Sequence, residues 1–332
     1  MHTDLPEAEL RRYRSSQTAP DDFDAFWRET LAETRALGGT VELTPVSTGL
    51  STVDTFDVTF PGFGGEPVKA WLRLPRTTTG PLPAVVQYVG YGGGRGHVLE
   101  NLLWASAGYA HLQMDTRGQG SGWSRGATPD SGPCGPQVPG VMTRGIGSPH
   151  TYYYRRLITD AVRAAEAVRE LDCVDPGRVA VVGQSQGGGV ALAVAALVPD
   201  LAAAVAHVPF LCDFPRAVQV TDAAPFREIA DYLSIHRDQE ETVHRTLSYI
   251  DGVNFARRAT VPARFSAALM DAIVPPSTVF AAYHAYAGPK DITVWRYNGH
   301  EAGGPDDDQG ALDFLAERLG PMDRSRCTCP ES

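Results

Sequence analysis

Two hydrophobic periods divide the chain. Near its start, Pro20-Asp21-Asp22 precedes Phe23, Phe26 and Trp27, which predicts a capped helix start with aromatic anchors inside a helical lead-in over residues 1–37. Thr52 to Phe60 and Pro67 to Leu74 alternate, with Val68, Ala70 and Leu72 on one face, so each predicts a strand. Pro61-Gly62-Phe63-Gly64-Gly65 between them reads as a hairpin turn. From Pro83 the period changes. Ala84 to Val89, Tyr109 to Met114 and Arg178 to Val182 are short, largely apolar runs of the kind that fill a buried strand, as are Leu201 to Val208, Arg264 to Met270 and Ile292 to Tyr297. Helical patterns lie between them. In Arg155 to Leu171, the residues Leu157, Ile158, Ala161, Val162, Ala165 and Val168 form one stripe. Gly187 to Val198, Ser277 to Ala285 and Gln309 to Leu319 are further helices.

Strands alternating with helices predict an α/β chain with a mostly parallel twisted sheet flanked by helices. The polar, helical stretch 222–258 interrupts the rhythm and is expected as an excursion over the sheet top. No internal repeat or long linker is visible. The expected organisation is one domain over 1–332, with 321–332 as a polar tail.

Composition narrows the function. With 43% hydrophobic and 20% charged residues the 332-residue chain is ordinary globular material, and a disordered chain is excluded. A net charge of −10 disfavours nucleic acid and anionic membrane surfaces as partners. Five cysteines, odd in number and scattered, make no disulfide framework. The longest apolar stretch, Val190 to Leu211, is broken by Pro199-Asp200 and contains His207, so no membrane span is expected. Met1 to Ser16 has no apolar segment of the signal-peptide kind, and a cytoplasmic location is the expectation.

Gly183-Gln184-Ser185-Gln186-Gly187 follows a short apolar strand and opens a helix. That is the setting of a nucleophile elbow, in which a serine sits on a strained strand-to-helix turn above an α/β-hydrolase sheet. A serine hydroxyl needs a base, and the base an orienting acid, in the chain order Ser, Asp or Glu, His. Of the histidines after Ser185, only His300 follows a strand candidate on a loop, where ligands meet open α/β sheets. His207 lies in an apolar run, and His236, His244 and His284 lie on helical stretches, so these read as core, surface or packing residues. Asp271 ends one strand and begins a loop. Asp251 lies in a turn, Asp291 starts a strand, and Asp306 to Asp308 read as a solvated loop. An oxyanion hole would use the amide of Gln186 and one from Gly90-Tyr91-Gly92-Gly93-Gly94. Nothing calls for a metal or organic cofactor.

With these residues in place, the chain resembles carbohydrate esterase family 7, the acetyl xylan esterases and cephalosporin C deacetylases. The resemblance runs from Asp22-Phe23-Asp24-Ala25-Phe26-Trp27 through Asp115-Thr116-Arg117-Gly118-Gln119-Gly120, Tyr152-Tyr153-Tyr154-Arg155, the elbow, and Pro209 to Phe214, to His300-Glu301. It implies an α/β-hydrolase fold with Ser185, Asp271 and His300 as the catalytic residues and the amides of Tyr91 and Gln186 as the oxyanion hole. It further implies removal of acetyl groups from small substrates (xylo-oligosaccharides, other acetylated sugars, cephalosporin C), and a homohexamer. Tyr91, Trp104, Pro225 and Ile273 are expected around a narrow acyl pocket, with a buried helix anchor as the other reading of Trp104. Arg117 and Gln119 are expected to tie loops together. Gln87-Tyr88-Val89-Gly90 departs from the family's usual Phe-His-Gly before the tyrosine, and Ala302 stands where a glycine is usual. Cys327 and Cys329 lie outside the resemblance, and too few further ligands accompany them for a metal site. The alternatives are a broader small-acyl carboxylesterase or thioesterase, a prolyl oligopeptidase-like serine peptidase, and an inactive hydrolase fold used for binding.

Overall fold

In the computed structural model, residues 4–76, 80–130 and 140–320 are described. Nine strands form one sheet: β1 (Glu42–Val46), β2 (Val53–Pro61), β3 (Pro67–Pro75), β4 (Leu82–Tyr88), β5 (Ala110–Met114), β6 (Val174–Gln184), β7 (Ala203–His207), β8 (Ala263–Ala268) and β9 (Lys290–Trp295). Their order is β1-β2-β3-β5-β4-β6-β7-β8-β9. The first three and the β3–β5 pairing are antiparallel; from β5 to β9 every pairing is parallel. The parallel part therefore holds the continuous apolar runs, which need cover on both faces. β1 was not anticipated. It is an exposed edge strand whose Glu42-Leu43-Thr44-Pro45-Val46 carries no apolar alternation, and its proline is tolerated because one edge is free.

Helices cover both faces. On one, Tyr153–Arg169 and Gln186–Leu197 bury their apolar sides in the main core. On the other, Leu103–Ser106 and Pro305–Leu319 cover Val85, Ala180, Val182 and Val205. The helices Phe214–Val220, Phe226–Ile235, Glu240–Ser248 and Gly252–Ala256 lie between β7 and β8. The early helix Phe23–Ala36 docks against them: Trp27 donates its indole N–H to the Tyr249 carbonyl (2.9 Å), and Phe23 and Phe26 meet Phe255 and Tyr249 edge-on or tilted. Asp22 precedes that helix but does not cap it, because its carboxylate accepts from the Tyr249 hydroxyl instead (2.6 Å).

Two local expectations are corrected. Asp306 to Asp308 are not a loop but the first turn of the helix Pro305–Leu319. There Asp307 is buried, accepting from the Trp295 indole (3.1 Å) and the Gly303 amide (2.9 Å). Carboxylates suit a helix N-terminus because unpaired amides point at them. Asp251 is also more than a turn residue: it caps Gly252–Ala256 and accepts from the amides of Val253, Asp213 and Phe214. The stretch 321–332, with Cys327 and Cys329, lies outside the described residues.

Candidate active site

β6 ends at Gln184 and the helix Gln186–Leu197 begins at Gln186, so the chain reverses within one residue. That residue, Ser185, has φ 56° and ψ −122°, a conformation L-residues enter only under constraint. The constraint is visible. Its amide donates to the His207 carbonyl on β7 (2.9 Å), and its carbonyl accepts from the Gly189 and Phe210 amides. Close packing does the rest. A Cβ at Gly183 would stand 2.2 Å from the Gly187 carbonyl carbon, and one at Gly187 would stand 2.2 Å from the Tyr88 carbonyl oxygen. Only glycine lets the helix sit this tightly on β4 and β6.

Asp271 follows β8 and is fully buried. One carboxylate oxygen accepts from the amides of Ile273 and Val274 (both 2.9 Å), and the other accepts from His300 Nδ1 at 2.8 Å. The acceptor fixes the imidazole tautomer: the proton is on Nδ1, leaving Nε2 as a base. Ser185 and His300 line one cavity of about 600 Å³, with Tyr91, Pro225 and Ile273. No hydrogen bond joins Ser185 to His300 among the described residues, as is common before a substrate seats. His207, His236, His244 and His284 do not line this cavity; His207 Nδ1 instead contacts the Ser266 hydroxyl (3.0 Å).

The amide of Gln186 directly follows Ser185 in the chain, and that of Tyr91 belongs to a residue that lines the cavity with Ser185. Neither donates to an acceptor among the described residues, so both remain available to an oxyanion. Their positions are held by a side-chain network that sequence reasoning did not resolve. Gln119 accepts from the Gly92 amide (2.7 Å) and donates to Gln186 Oε1 (2.8 Å) and the Tyr153 hydroxyl (2.9 Å). Gln186 in turn donates to the Val89 carbonyl (3.1 Å) and accepts from the Tyr154 hydroxyl (3.0 Å). One carboxamide thus ties the glycine loop to the elbow. The Tyr152-Tyr153-Tyr154 run was the available signal, but a run of aromatics does not disclose what its hydroxyls reach.

Tyr91 is also held from above. Its hydroxyl donates to Glu228 on the helix Phe226–Ile235 (2.5 Å) and accepts from the Val141 amide (3.0 Å), while the Met142 amide donates to the other Glu228 oxygen (3.1 Å). Burial raises the Glu228 carboxyl above its ordinary range, and burial with Glu228 beside it raises the Tyr91 phenol.

Arg117 does not reach the cavity. Fully buried, it forms a bidentate pair with Asp160 (2.5 and 2.8 Å) and a further bond to Glu66 (2.7 Å), joining the hairpin turn to the helix Tyr153–Arg169. Trp104 is a correction to the acyl-pocket set. It sits on the short helix Leu103–Ser106 and packs edge-on against Tyr109 in the core beneath the opposite sheet face, away from the cavity lining. In its place Trp123, not singled out in the sequence, lines the cavity, its indole N–H donating to the Tyr91 carbonyl (2.7 Å).

Among the described residues no helix is long and apolar enough to cross a membrane, and no cluster of three metal-ligating side chains occurs. A family model described as acetyl xylan esterase matches residues 1–318. An acetyl xylan esterase from a Paenibacillus species superposes with a TM-score of 0.90 at 38% identity, covering 95% of this chain and 100% of its own. Acetyl xylan esterase 1 from a Thermoanaerobacterium species gives 0.87 at 34% identity, over 96% of this chain and 100% of its own. An acetyl esterase of Xylanibacter ruminicola is 27% identical over 294 residues, 85% of this chain. The chain spans 63% of that relative's length. A prolyl endopeptidase matches at a TM-score of 0.57 and 18% identity, covering 81% of this chain and 39% of its own, a likeness of fold alone.

Proposed function

The chain belongs to the acetyl xylan esterase family, and from that premise we propose that it is a serine acetylesterase working through an acetyl-enzyme on Ser185. The carrying observation is the buried Asp271 bonded at 2.8 Å to His300, which shares a cavity with a strained Ser185. In the proposed mechanism His300 Nε2 takes the Ser185 proton as Oγ attacks the acetyl carbonyl. The imidazolium is stabilised by Asp271, and the oxyanion rests on the amides of Tyr91 and Gln186. The C–O bond to the alcohol breaks as His300 returns the proton to it. Water, deprotonated by His300, then attacks the acetyl-enzyme and releases acetate and free Ser185. Ile273 and Pro225 serve as walls for the acetyl methyl.

The substrate class is acetylated small carbohydrates; the acetoxymethyl group of cephalosporin C is a second candidate substrate of the same chemistry. A cytoplasmic homohexamer completes the proposal, and its mass by light scattering tests the assembly. The direct experiment is acetate release from acetylated xylo-oligosaccharides, cephalosporin C and p-nitrophenyl acetate and butyrate, by the wild type and by Ser185→Ala. The expected result is acetate release by the wild type alone, with acetyl preferred. Release that survives Ser185→Ala refutes the nucleophile, and a preference for butyryl favours the broader carboxylesterase.

A further inference from the structure

Beyond Ser185 the cavity reaches a wall that the hydrolytic steps leave unused. It is built on three adjacent strands. Arg73 on β3 stands opposite His111 on β5, and Gln113 on β5 opposite Gln87 on β4. Arg73 is fully buried, and burial pushes it down to about 10, still a cation at neutral pH. Its Nε donates to the Val98 carbonyl (3.1 Å) and Nη1 to Gln113 Oε1 (3.0 Å), while Nη2 is buried with no partner.

This one cation sets the direction of every neighbour. Gln113 must turn its oxygen to Arg73, and Asn101 donates to that same oxygen (3.3 Å). His111 Nδ1 faces Arg73 Nη1 at 3.5 Å, so it is the bare nitrogen. Burial and the Arg73 charge keep the ring neutral, and Nε2 therefore carries the proton and donates to Gln87 Oε1 (2.8 Å). Both glutamines line the cavity, and neither Nε2 has a partner among the described residues. Acceptors stand nearby. Gln184 spends its amide nitrogen on the His300 carbonyl (3.1 Å) and keeps its oxygen free, and Glu100 lines the same space. Trp123 lies along the glycine loop, where a Cβ at Gly93 would touch its ring at 2.3 Å, yet the residue is 67% exposed.

A polar row through the middle of a sheet costs desolvation that apolar residues would avoid. Here its free donors open onto the cavity of the reactive serine. We propose that Gln87, Gln113, Glu100 and Trp123 form the subsite for the alcohol half of the ester, and that it takes a neutral, polyhydroxylated ring of the pyranose class. Oxygens of the ring accept from the two fixed amides, a hydroxyl donates to Glu100 or Gln184, and the indole meets the C–H face. This rests on the acetylesterase reading and names the substrate side of the same site.

The test compares p-nitrophenyl acetate, whose alcohol has no hydroxyl to recognise, with mono-acetylated xylobiose, using free xylobiose as a competitive inhibitor. Gln113→Glu keeps the oxygen that accepts from Arg73 and Asn101. It turns the donor offered to a ring oxygen into an acceptor. Gln87→Met removes the other donor. For each, kcat/KM on acetyl-xylobiose relative to p-nitrophenyl acetate is expected to fall at least tenfold, mainly through KM, and the xylobiose inhibition constant to rise equally. If Gln87→Met fails to fold, Gln113→Glu carries the test. An unchanged ratio, or a parallel loss on both esters, overturns the subsite. If the wild type cleaves p-nitrophenyl acetate but xylobiose neither inhibits nor improves the ester, the subsite falls and the esterase stands. If the wild type cleaves neither ester, the acetylesterase reading itself falls.

Discussion

Replacing Gln119 with leucine removes three hydrogen bonds at once: from the Gly92 amide, to Gln186, and to the Tyr153 hydroxyl. At about 1 kcal/mol each for neutral pairs, the fold should lose about 3 kcal/mol, a fall in Tm of about 4 °C for a domain of this size. The catalytic effect is separate. Gly92 adjoins Tyr91, and Gln186 carries the other amide of the proposed oxyanion hole, so both donors would lose their tie to each other. Complete loss of one such donor costs about 10²–10³ in kcat, and drift of two donors that remain present should cost about 10–100-fold. KM should move less than about threefold, because the missing bonds serve charge that exists only in the transition state. The assay is steady-state and burst kinetics on p-nitrophenyl acetate well below the Tm of the variant. Gln119→Glu keeps an acceptor for the Gly92 amide and loses the donor to Gln186, so its kcat should lie between wild type and leucine. A leucine variant with lowered Tm but kcat within about threefold of wild type would refute the reasoning, since the network would then hold the fold and nothing more.

Three other outcomes are expected. Ile273→Ala should widen the acyl end of the cavity and raise butyryl relative to acetyl turnover about tenfold; an unchanged preference removes Ile273 from the acyl wall. Burial pushes the Asp251 carboxyl up to about 7 from 3.8, so the folded state holds a proton that the unfolded state has released between those values. Stability from this group is full below about pH 4 and lost as pH rises to about 7, a contribution on the order of 4 kcal/mol; thermal denaturation should show a flatter pH dependence over that window in Asp251→Asn than in wild type. Gly187→Ala sets a methyl 2.2 Å from a backbone oxygen with no side chain able to yield, and should cost at least about 3 kcal/mol and most activity, read by denaturation and ester turnover.

Much of the candidate site was legible because strand ends are legible. Ser185, Asp271 and His300 each follow an apolar run and precede a loop, and parallel topology brings such points to one edge of a sheet. Faces are harder. Trp104 lies close in sequence to β5, but nothing in its spacing says that its helix covers the side of the sheet away from the acyl end. Tyr91 and Ile273 line the cavity because they adjoin, in the chain, the glycine loop and Asp271. The polar row was hidden for another reason. Arg73, His111, Gln113 and Gln87 lie on three strands whose spatial order, β3-β5-β4, is not their order in the chain. Read singly, each is a polar residue in a strand, indistinguishable from a solvated position. Asp307 was misplaced for a similar reason, because an acidic residue in a polar run looks solvated until its backbone and indole donors are seen.

The bond between Tyr91 and Glu228 bears on how such an enzyme can diverge. The helices between β7 and β8 look like an interchangeable cassette, free to vary while the catalytic frame stays constant. Yet Glu228, within that segment, holds the phenol of Tyr91, whose amide is the one proposed for the oxyanion hole. A chimera that imports a foreign segment must bring its own acceptor to the same point, or inherit a loosened glycine loop along with a new substrate preference. In such a chimera selectivity and rate would then change together.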